Sequence, residues 1–374
     1  MSQPLIVEAP LPVEPVAPAE NIALPALGRG PREWLLARVL VPLFVAGFAL
    51  WPLPKLVGQQ IPGDTPKGAS VWINVETAGV WPWELVMTRT ATAQDVIVTV
   101  GYPWLAVLTR PLEWLLGTNG WIAVATWLGL AAVGWGGAWL GGRWWGTPGA
   151  ALVTGVAWQV AAAPTAAITG GWYDGLVVFA LLPVTWGLWV RAIDRDSLPA
   201  AIVAGLGWGA ILTSRGGGVE WLFLLCLPAS ALAGAEGRKR AAVVPWFTGI
   251  AVGVLVASPI LAWAWGDTPK VSAAIVFPDP STAAWALGLY GAFRSRGVVR
   301  RLLAPGLAIL GGLLPVDLWL SDNARPMAEL GLAVLAGAAV ADPRKLDERV
   351  ATAIAVALLL GVAALRWPFP TITV

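Results

Sequence analysis

Histidine is absent from this chain of 374 residues, and other reactive side chains are scarce. Without imidazole the chain has no histidine metal ligand, no histidine general base and no catalytic triad that needs one. The one cysteine, Cys226, lies inside an apolar run, so a disulfide framework is excluded. Charged residues amount to 12% of the sequence, against roughly 25% in a soluble globular domain. The net charge of +2 is too small to indicate a nucleic-acid partner.

Hydrophobic residues, by contrast, form 57% of the sequence and are gathered into long apolar stretches from Trp34 onward. A helix that crosses a bilayer needs about 20 apolar residues, and it satisfies its own backbone hydrogen bonds inside the lipid. The sequence therefore predicts an all-α fold, a polytopic membrane helix bundle with about 11 transmembrane helices. The predicted spans are 34–54, 120–141, 148–166, 172–190, 198–213, 219–235, 241–264, 281–293, 302–320, 327–341 and 349–365.

Two regions follow from this pattern. Residues 1–30, rich in Pro and Glu, are predicted to be a disordered cytoplasmic tail, and they lack the basic n-region of a signal peptide. Residues 31–374 are predicted to form the transmembrane domain. With the N-terminus inside, sixteen of the 24 basic residues fall on the inner side, as the positive-inside rule requires. The expected location is the cell inner (plasma) membrane, multi-pass, with a cytoplasmic N-terminus.

The longest predicted loop, residues 55–119, lies on the outer face. Residues 71–93 mix aromatic and acidic side chains, which predicts interfacial helices broken at Pro82. The apolar segment Tyr102–Leu116 contains two charged residues, so it too is placed in the interface. The alternative, a true span, would invert every later loop, and the distribution of basic residues argues against it.

The pentapeptide Gly-Asp-Thr-Pro-Lys occurs twice, at 63–67 and 266–270, and pairs Asp64 with Lys67 and Asp267 with Lys270. Gly and Pro favour a tight turn. Each copy can therefore present a carboxylate to a proton or metal ion and an ammonium to a phosphate. The alternative is a plain turn whose aspartate caps its own backbone. Because the flanking sequences differ, independent turns are favoured over an internal duplication.

Two further candidates lie beside glycine-rich turns. Asp174 follows Trp and Tyr residues that can stack on a sugar; alternatively it caps the next helix within an interfacial aromatic belt. Arg215 precedes three glycines, whose backbone N–H groups can hold a phosphate together with the guanidinium. Alternatively, Arg215 and Glu220 form a surface ion pair. Any metal site must use carboxylates, carbonyls and water, which suits Mg²⁺ or Mn²⁺, but the sequence does not establish that a metal is bound.

Four short motifs follow one another along about residues 34–235. They are Pro62-Gly63-Asp64, Tyr102-Pro103, Pro111-Leu112 with Leu115-Leu116-Gly117, and Leu181-Leu182-Pro183 in a helix that ends at Arg191-Ala192. Their order resembles the GT-C superfamily of integral-membrane glycosyltransferases, in particular bacterial multi-pass mannosyltransferase-like members, although relatives often have Gly-His where this chain has Gly171-Trp172.

The resemblance implies an inverting transfer of a sugar from a polyprenyl-phosphate donor to an acceptor at the outer membrane face. Asp64 is implied as the general base or as a metal ligand, and Asp174 is the second catalytic candidate. The donor phosphate would be bound by basic residues. The candidates for that role are Lys67, Arg215 and Lys270, and the remaining site candidates are Asp267 and Glu220.

Two other functions stay open. The first is a non-catalytic GT-C-like scaffold or subunit of an envelope complex, with a membrane protein as partner and outer-loop charges that can be replaced freely. The second is a transporter of lipid-linked substrates, which is disfavoured because no charge falls near the middle of a predicted span. Membrane lipid is an expected partner in all three cases.

Overall fold

The computed structural model describes residues 35–50, 104–161, 163–165, 175–215, 239–264, 325–341 and 348–366, with single residues at 287, 290 and 306. Helices and the turns between them account for this part of the chain, and it contains no strand, so the all-α prediction is confirmed there. The predicted tail 1–30, the interfacial helices at 71–93 and the predicted span 219–235 lie outside the described residues. The predicted spans 281–293 and 302–320 do so almost entirely.

Nine helices are described, in addition to a short 3₁₀ helix, Arg110–Leu112. Helix α1 begins as a π-helical stretch, Leu36–Leu40, and continues as Val41–Phe48. The others are α2 (Trp104–Thr109), α3 (Glu113–Trp145), α4 (Pro148–Gln159), α5 (Gly175–Arg195), α6 (Leu198–Arg215), α7 (Lys239–Ala264), α8 (Arg325–Ala341) and α9 (Glu348–Arg366). Helices thus occupy eight of the predicted span ranges.

The boundary between α3 and α4 follows from three consecutive residues. Gly146 has a positive φ of 79° and ends α3, with its N–H bonded to the carbonyl of Gly142. Thr147 is the N-cap of α4, and its hydroxyl accepts a hydrogen bond of 3.2 Å from the backbone N–H of Ala150. Pro148 occupies the first turn, where no backbone donor is required. The conformational preferences of these three residues therefore end α3 and start α4, and the chain reverses direction here.

The start of α3 differs from the predicted boundary at residue 120. The helix begins at Glu113 and is interrupted at Gly117, whose φ of 68° and ψ of 169° are not helical. Because a left-handed φ is open to glycine at little cost, the break falls on this residue. Trp114 and Leu115, just before the break, are 88% and 80% exposed. The segment 104–116 therefore presents large apolar side chains to its surroundings.

Two helical stretches are long and apolar enough to cross a membrane: Ala123–Trp145 and Gly175–Arg195. Shorter apolar stretches lie within α1, α6, α7, α8 and α9. These two long stretches are neighbours in the fold and run parallel, since Gly129 packs against Leu176 near their beginnings and Trp139 packs against Gly187 near their ends. They form the centre of the bundle.

The other helices pack around this pair. Helix α4 runs antiparallel to α3, and α8 packs on α4. Helix α1 is fixed to α3 by two indoles, because Trp127 Nε1 and Trp135 Nε1 donate hydrogen bonds of 2.9 Å to the carbonyls of Ala46 and Pro42. Helix α6 packs against α5 and α7. Helix α9 packs mainly against α4.

Glycines allow the closest of these approaches. Gly205 of α6 lies against the backbone carbonyl of Gly249 of α7, and one turn later Gly209 lies against that of Gly253. This pairing of small residues four apart brings two parallel backbones together. Since the atom nearest to a Cβ at Gly205 would be the main-chain carbonyl oxygen of Gly249, no side-chain rotation could make room for even a methyl group there.

Tryptophans fill much of the space between the helices of the core. Trp158, Trp186, Trp189 and Trp208 are fully buried, and the rings of Trp189 and Trp208 meet edge to face at 5.6 Å between centroids. The indole N–H of Trp158 donates a hydrogen bond of 2.9 Å to the carbonyl of Phe179. The core thus combines close glycine contacts with buried indole rings.

The helix directions give the bundle two ends. The Glu329 end, named for a residue in the first turns of α8, also holds the beginnings of α3 and α5 and the last turns of α1, α4, α6 and α7. The arginine end is the opposite one, and it holds Arg38 of α1, Arg143 of α3, and Arg191 and Arg195 of α5.

Candidate functional site

The sequence-predicted site residues fall almost entirely between the described helices. Arg215 is the last residue of α6, where the structure describes its backbone only. Asp64, Lys67, Asp174, Glu220, Asp267 and Lys270 lie outside the described residues.

The helix directions nevertheless place the helix termini next to several of these candidates at one end of the bundle. Helix α5 begins at Gly175, directly after Asp174. Helix α6 is antiparallel to α5 and ends at Arg215, and α7 is parallel to α6 and ends at Ala264, three residues before Asp267. The chain therefore enters or leaves the bundle next to these candidates at the Glu329 end.

Glu329 is the most distinctive described side chain at this end. It is 2% exposed and is the only buried ionisable side chain in the described part of the chain. Its Oε2 accepts a hydrogen bond of 2.9 Å from the backbone N–H of Ala163, 166 residues away in sequence. A buried carboxylate must be hydrogen-bonded, because an uncompensated charge inside a protein is costly.

The segment that Glu329 contacts is the turn after α4. Helix α4 ends at Gln159, and residues 163–165 form a short helical turn. Ala163 is the first residue of this turn, so its N–H has no helical acceptor and is open to the carboxylate. Thr165 closes the turn with a hydroxyl bond of 2.8 Å to the carbonyl of Ala161. Glu329 therefore acts as a positioning group for the chain that leads towards Asp174.

A second polar contact at this end fixes the start of α3. Trp121 Nε1 donates a hydrogen bond of 2.9 Å to Thr109 Oγ1, and that hydroxyl donates one of 2.6 Å to the carbonyl of Leu105. Trp121 and Thr109 are both buried. The contact ties α2 to α3 across the break at Gly117 and holds the exposed apolar segment before the break against the bundle.

The side-chain amide of Gln159 lies between α1, α3 and α4 near the same end. Gln159 Nε2 donates hydrogen bonds to the carbonyls of Val45, at 3.3 Å, and Leu130, at 3.0 Å. Its Oε1 is buried and has no hydrogen-bond partner among the described residues. The two donated bonds account for its burial by joining the three helices, so its role is structural.

Glu329 was not among the site residues predicted from the sequence. The available signal was its position, because it is the last acid before an uninterrupted apolar run, Leu330–Ala341. Within the described residues, no group of three or more potential metal ligands comes together. The described part of the Glu329 end thus supplies positioning contacts, whereas the residues predicted for chemistry lie almost entirely outside the described residues. Comparison of the chain with family models, with curated proteins and with solved structures finds no match.

Proposed function

We propose that the described helices cross a membrane and that the chain is a glycosyltransferase acting at the Glu329 end. The membrane placement is supported by apolar side chains that face outward along the bundle. Large hydrophobic residues are exposed on most of the helices, whereas soluble proteins rarely expose contiguous apolar patches above a few hundred Å². The residues include Leu43, Phe44, Leu108, Trp114, Trp135, Ile202, Leu206, Phe247, Leu255, Ile354 and Leu358.

Helix length supports the same placement. Helices α6, α7 and α9 have 18, 26 and 19 residues. At a rise of 1.5 Å per residue they extend over about 27–39 Å. The apolar core of a bilayer is roughly 30 Å thick. The full lengths of these helices therefore match that thickness, while the apolar stretches within them, Leu198–Thr213, Val243–Ser258 and Arg349–Gly361, are shorter.

The glycosyltransferase proposal rests on one observation, the convergence of helix ends at the Glu329 end. The chain next to Asp174, Glu220 and Asp267 meets the bundle at that end. Carboxylates and basic groups from separate connecting segments can therefore meet at one membrane surface. A sugar-transfer site needs both kinds of group, one for the acceptor proton and one for the leaving phosphate.

The proposed reaction is an inverting substitution at the anomeric carbon. Asp64 or Asp174 accepts the proton of the acceptor hydroxyl, whose oxygen forms the new bond to the sugar. The bond between the sugar and the polyprenyl phosphate breaks, and the phosphate leaves with the electron pair. Lys67, Arg215 and Lys270 stabilise the charge that develops on it. Glu329 positions the turn that leads to Asp174 without contacting the reacting atoms.

Native mass spectrometry of the detergent-purified protein tests this proposal. The wild-type protein is expected to retain a polyprenyl phosphate or its sugar conjugate, and Arg215→Ala is expected to reduce that retention about tenfold or more. Asp64→Asn and Asp174→Asn are expected to retain the donor but to lose transfer to an added hydroxyl acceptor. A general base contributes a factor of roughly 10² to 10⁴ to the rate.

Asp196→Asn is the matched control for Asp174→Asn. Asp196 follows the last residue of α5 as Asp174 precedes the first, and asparagine tolerates its φ of 51°. Transfer and donor retention should match those of the wild type. If no polyprenyl phosphate is retained and a membrane protein co-purifies instead, glycosyl transfer is wrong and the scaffold function is supported.

A further inference from the structure

The arginine end gathers cations from three separate helices. Arg38 of α1 and Arg191 and Arg195 of α5 lie close enough to Arg143 of α3 for their charges to act on it. The repulsion between like charges at such distances opposes this arrangement. Because the four residues come from distant parts of the sequence, the folded bundle itself brings them together.

Arg143 is the most deeply placed of the four. It is half-buried, whereas Arg38 and Arg195 are exposed. Its guanidinium carbon lies 4.8 Å from the ring centre of Trp139, one helical turn earlier, in the range of a cation–π contact. The Trp139 ring in turn packs against Gly187 of α5, where a Cβ would collide with it. Arg143 is thus held against an aromatic ring between α3 and α5.

Among the described residues, the charges that act on Arg143 all have the same sign. Each is an arginine, and burial adds a further cost by removing water from the guanidinium. Asp194 and Asp196 lie near Arg195 in sequence and are exposed. Asp194 has an interaction of its own, and neither carboxylate is among the charges that act on Arg143. The contact with the Trp139 ring offsets part of this cost. An anion bound between the arginines would relieve both the repulsion and the desolvation.

The position of the cluster indicates which anion. Arg143 lies in the last turn of the apolar stretch Ala123–Trp145, and Arg191 and Arg195 lie in the last two turns of Gly175–Arg195. In a membrane these turns lie at the level of the lipid headgroups. A guanidinium there meets lipid phosphate, which it can bind through two hydrogen bonds at once.

We infer that Arg38, Arg143, Arg191 and Arg195 form a binding site for the phosphate of an anionic phospholipid at the membrane surface opposite the Glu329 end. This inference rests on the membrane placement proposed above and is independent of glycosyl transfer. It assigns to the arginine end a lipid that stays bound between helices α1, α3 and α5, in contrast to the exchangeable lipid around the bundle.

The test measures lipid retained by the purified full-length protein in mixed micelles that contain phosphatidylglycerol and phosphatidylcholine in equal amounts. The wild type is expected to retain phosphatidylglycerol selectively. Arg143→Gln, Arg191→Gln and Arg195→Gln should each weaken this retention about fivefold, the effect typical of one basic residue near an anionic surface. Arg195 is exposed, so its variant changes charge with little effect on packing.

Arg349→Gln is the matched control. Arg349 is an exposed arginine in the first turn of α9, which begins shortly after α8 ends at the arginine end, and it is not among the charges that act on Arg143. Retention by this variant should equal that of the wild type. Equal losses in Arg349→Gln and Arg195→Gln would overturn the site, since a diffuse positive surface would then explain binding.

Two further measurements complete the test. The first distinguishes lipid phosphate from free phosphate, and the second distinguishes failure of the arginine site from failure of the membrane placement. Inorganic phosphate added at the same concentration as the lipid should not displace it; displacement would overturn the lipid assignment in favour of free phosphate. Failure of the wild type to associate with any lipid, phosphatidylcholine included, would overturn the membrane placement. Unselective binding of both lipids would overturn the arginine site alone.

Discussion

The two ends of the bundle accommodate charge in different ways. At the Glu329 end, a buried carboxylate accepts a hydrogen bond from the N–H of Ala163 and is compensated within the protein. At the arginine end, the charges of other arginines act on the half-buried guanidinium of Arg143. Loss of a charge should therefore destabilise the first end, whereas at the second it should leave stability unchanged or raise it. The middle of the bundle supports both ends through apolar contacts.

The largest loss of stability is expected from disrupting the close contact between α6 and α7. Gly205→Leu places a side chain against the backbone carbonyl of Gly249, so α6 and α7 must separate. The expected loss of stability is about 3 kcal/mol or more, measured as a large fall in the thermal unfolding midpoint in detergent.

Gly361→Leu is the control for this substitution, since a Cβ at Gly361 meets no atom within 4 Å. Its unfolding midpoint should be unchanged or slightly higher, because leucine favours the helix more than glycine does. Equal losses in the two variants would mean that the close contact between α6 and α7 is absent.

Glu329→Ala is expected to destabilise the Glu329 end only. It leaves the N–H of Ala163 without its acceptor and removes a charge-assisted hydrogen bond, at a cost of about 1.5–3 kcal/mol. Glu329→Gln retains an acceptor oxygen and should lose less. The two unfolding midpoints give the measurement, and a glutamine variant as unstable as the alanine variant would show that the charge, rather than the contact with Ala163, is what matters.

The hydrogen bond between Trp121 and Thr109 provides a second test at the Glu329 end. Trp121→Phe removes the indole donor, and the expected loss is about 1 kcal/mol. A double-mutant cycle with Thr109→Val isolates the bond. The coupling between the two substitutions should be of similar size, and no coupling would contradict the hydrogen bond that ties α2 to α3.

The smallest effect, with the opposite sign, is expected at the arginine end. In lipid-free detergent, Arg195→Gln removes one of several like charges and should leave stability unchanged or raise it by up to about 0.5 kcal/mol. Adding phosphatidylglycerol should then stabilise the wild type more than the variant, through preferential binding to the folded state. A clear loss of stability without lipid would show that Arg195 is paired within the protein.

Much of the fold could be predicted from the sequence because a helix in an apolar run satisfies its own backbone. The stretch Gly146-Thr147-Pro148 ended one helix and began the next through residue-specific φ preferences and capping, which are local effects. The start of α3 was harder to predict. Its residues before Gly117 are apolar but exposed, and apolarity alone does not distinguish a buried turn from an interfacial one.

The candidate site was predictable to a smaller extent. The glycine-rich turns beside Asp174 and Arg215 indicated these two residues as candidates. Whether they can act in one site depends on which helix ends lie together. Packing between residues far apart in sequence decides this. Glu329 resembled any acid at the end of an apolar run. Its hydrogen bond to Ala163 spans 166 residues, and no periodicity in the sequence indicates such a partner.

The sequence by itself determined the helical class, most helix ranges and the scarcity of charge in the middle of the helices, because hydrophobicity, capping and glycine conformation act over a few residues. The tertiary structure decided that α3 and α5 run parallel, that Gly205 meets Gly249, that Glu329 reaches the turn after α4, and that arginines of three helices converge. Helix faces and directions are set by how side chains of different sizes fit together. That fit exists only once distant parts of the chain are in contact.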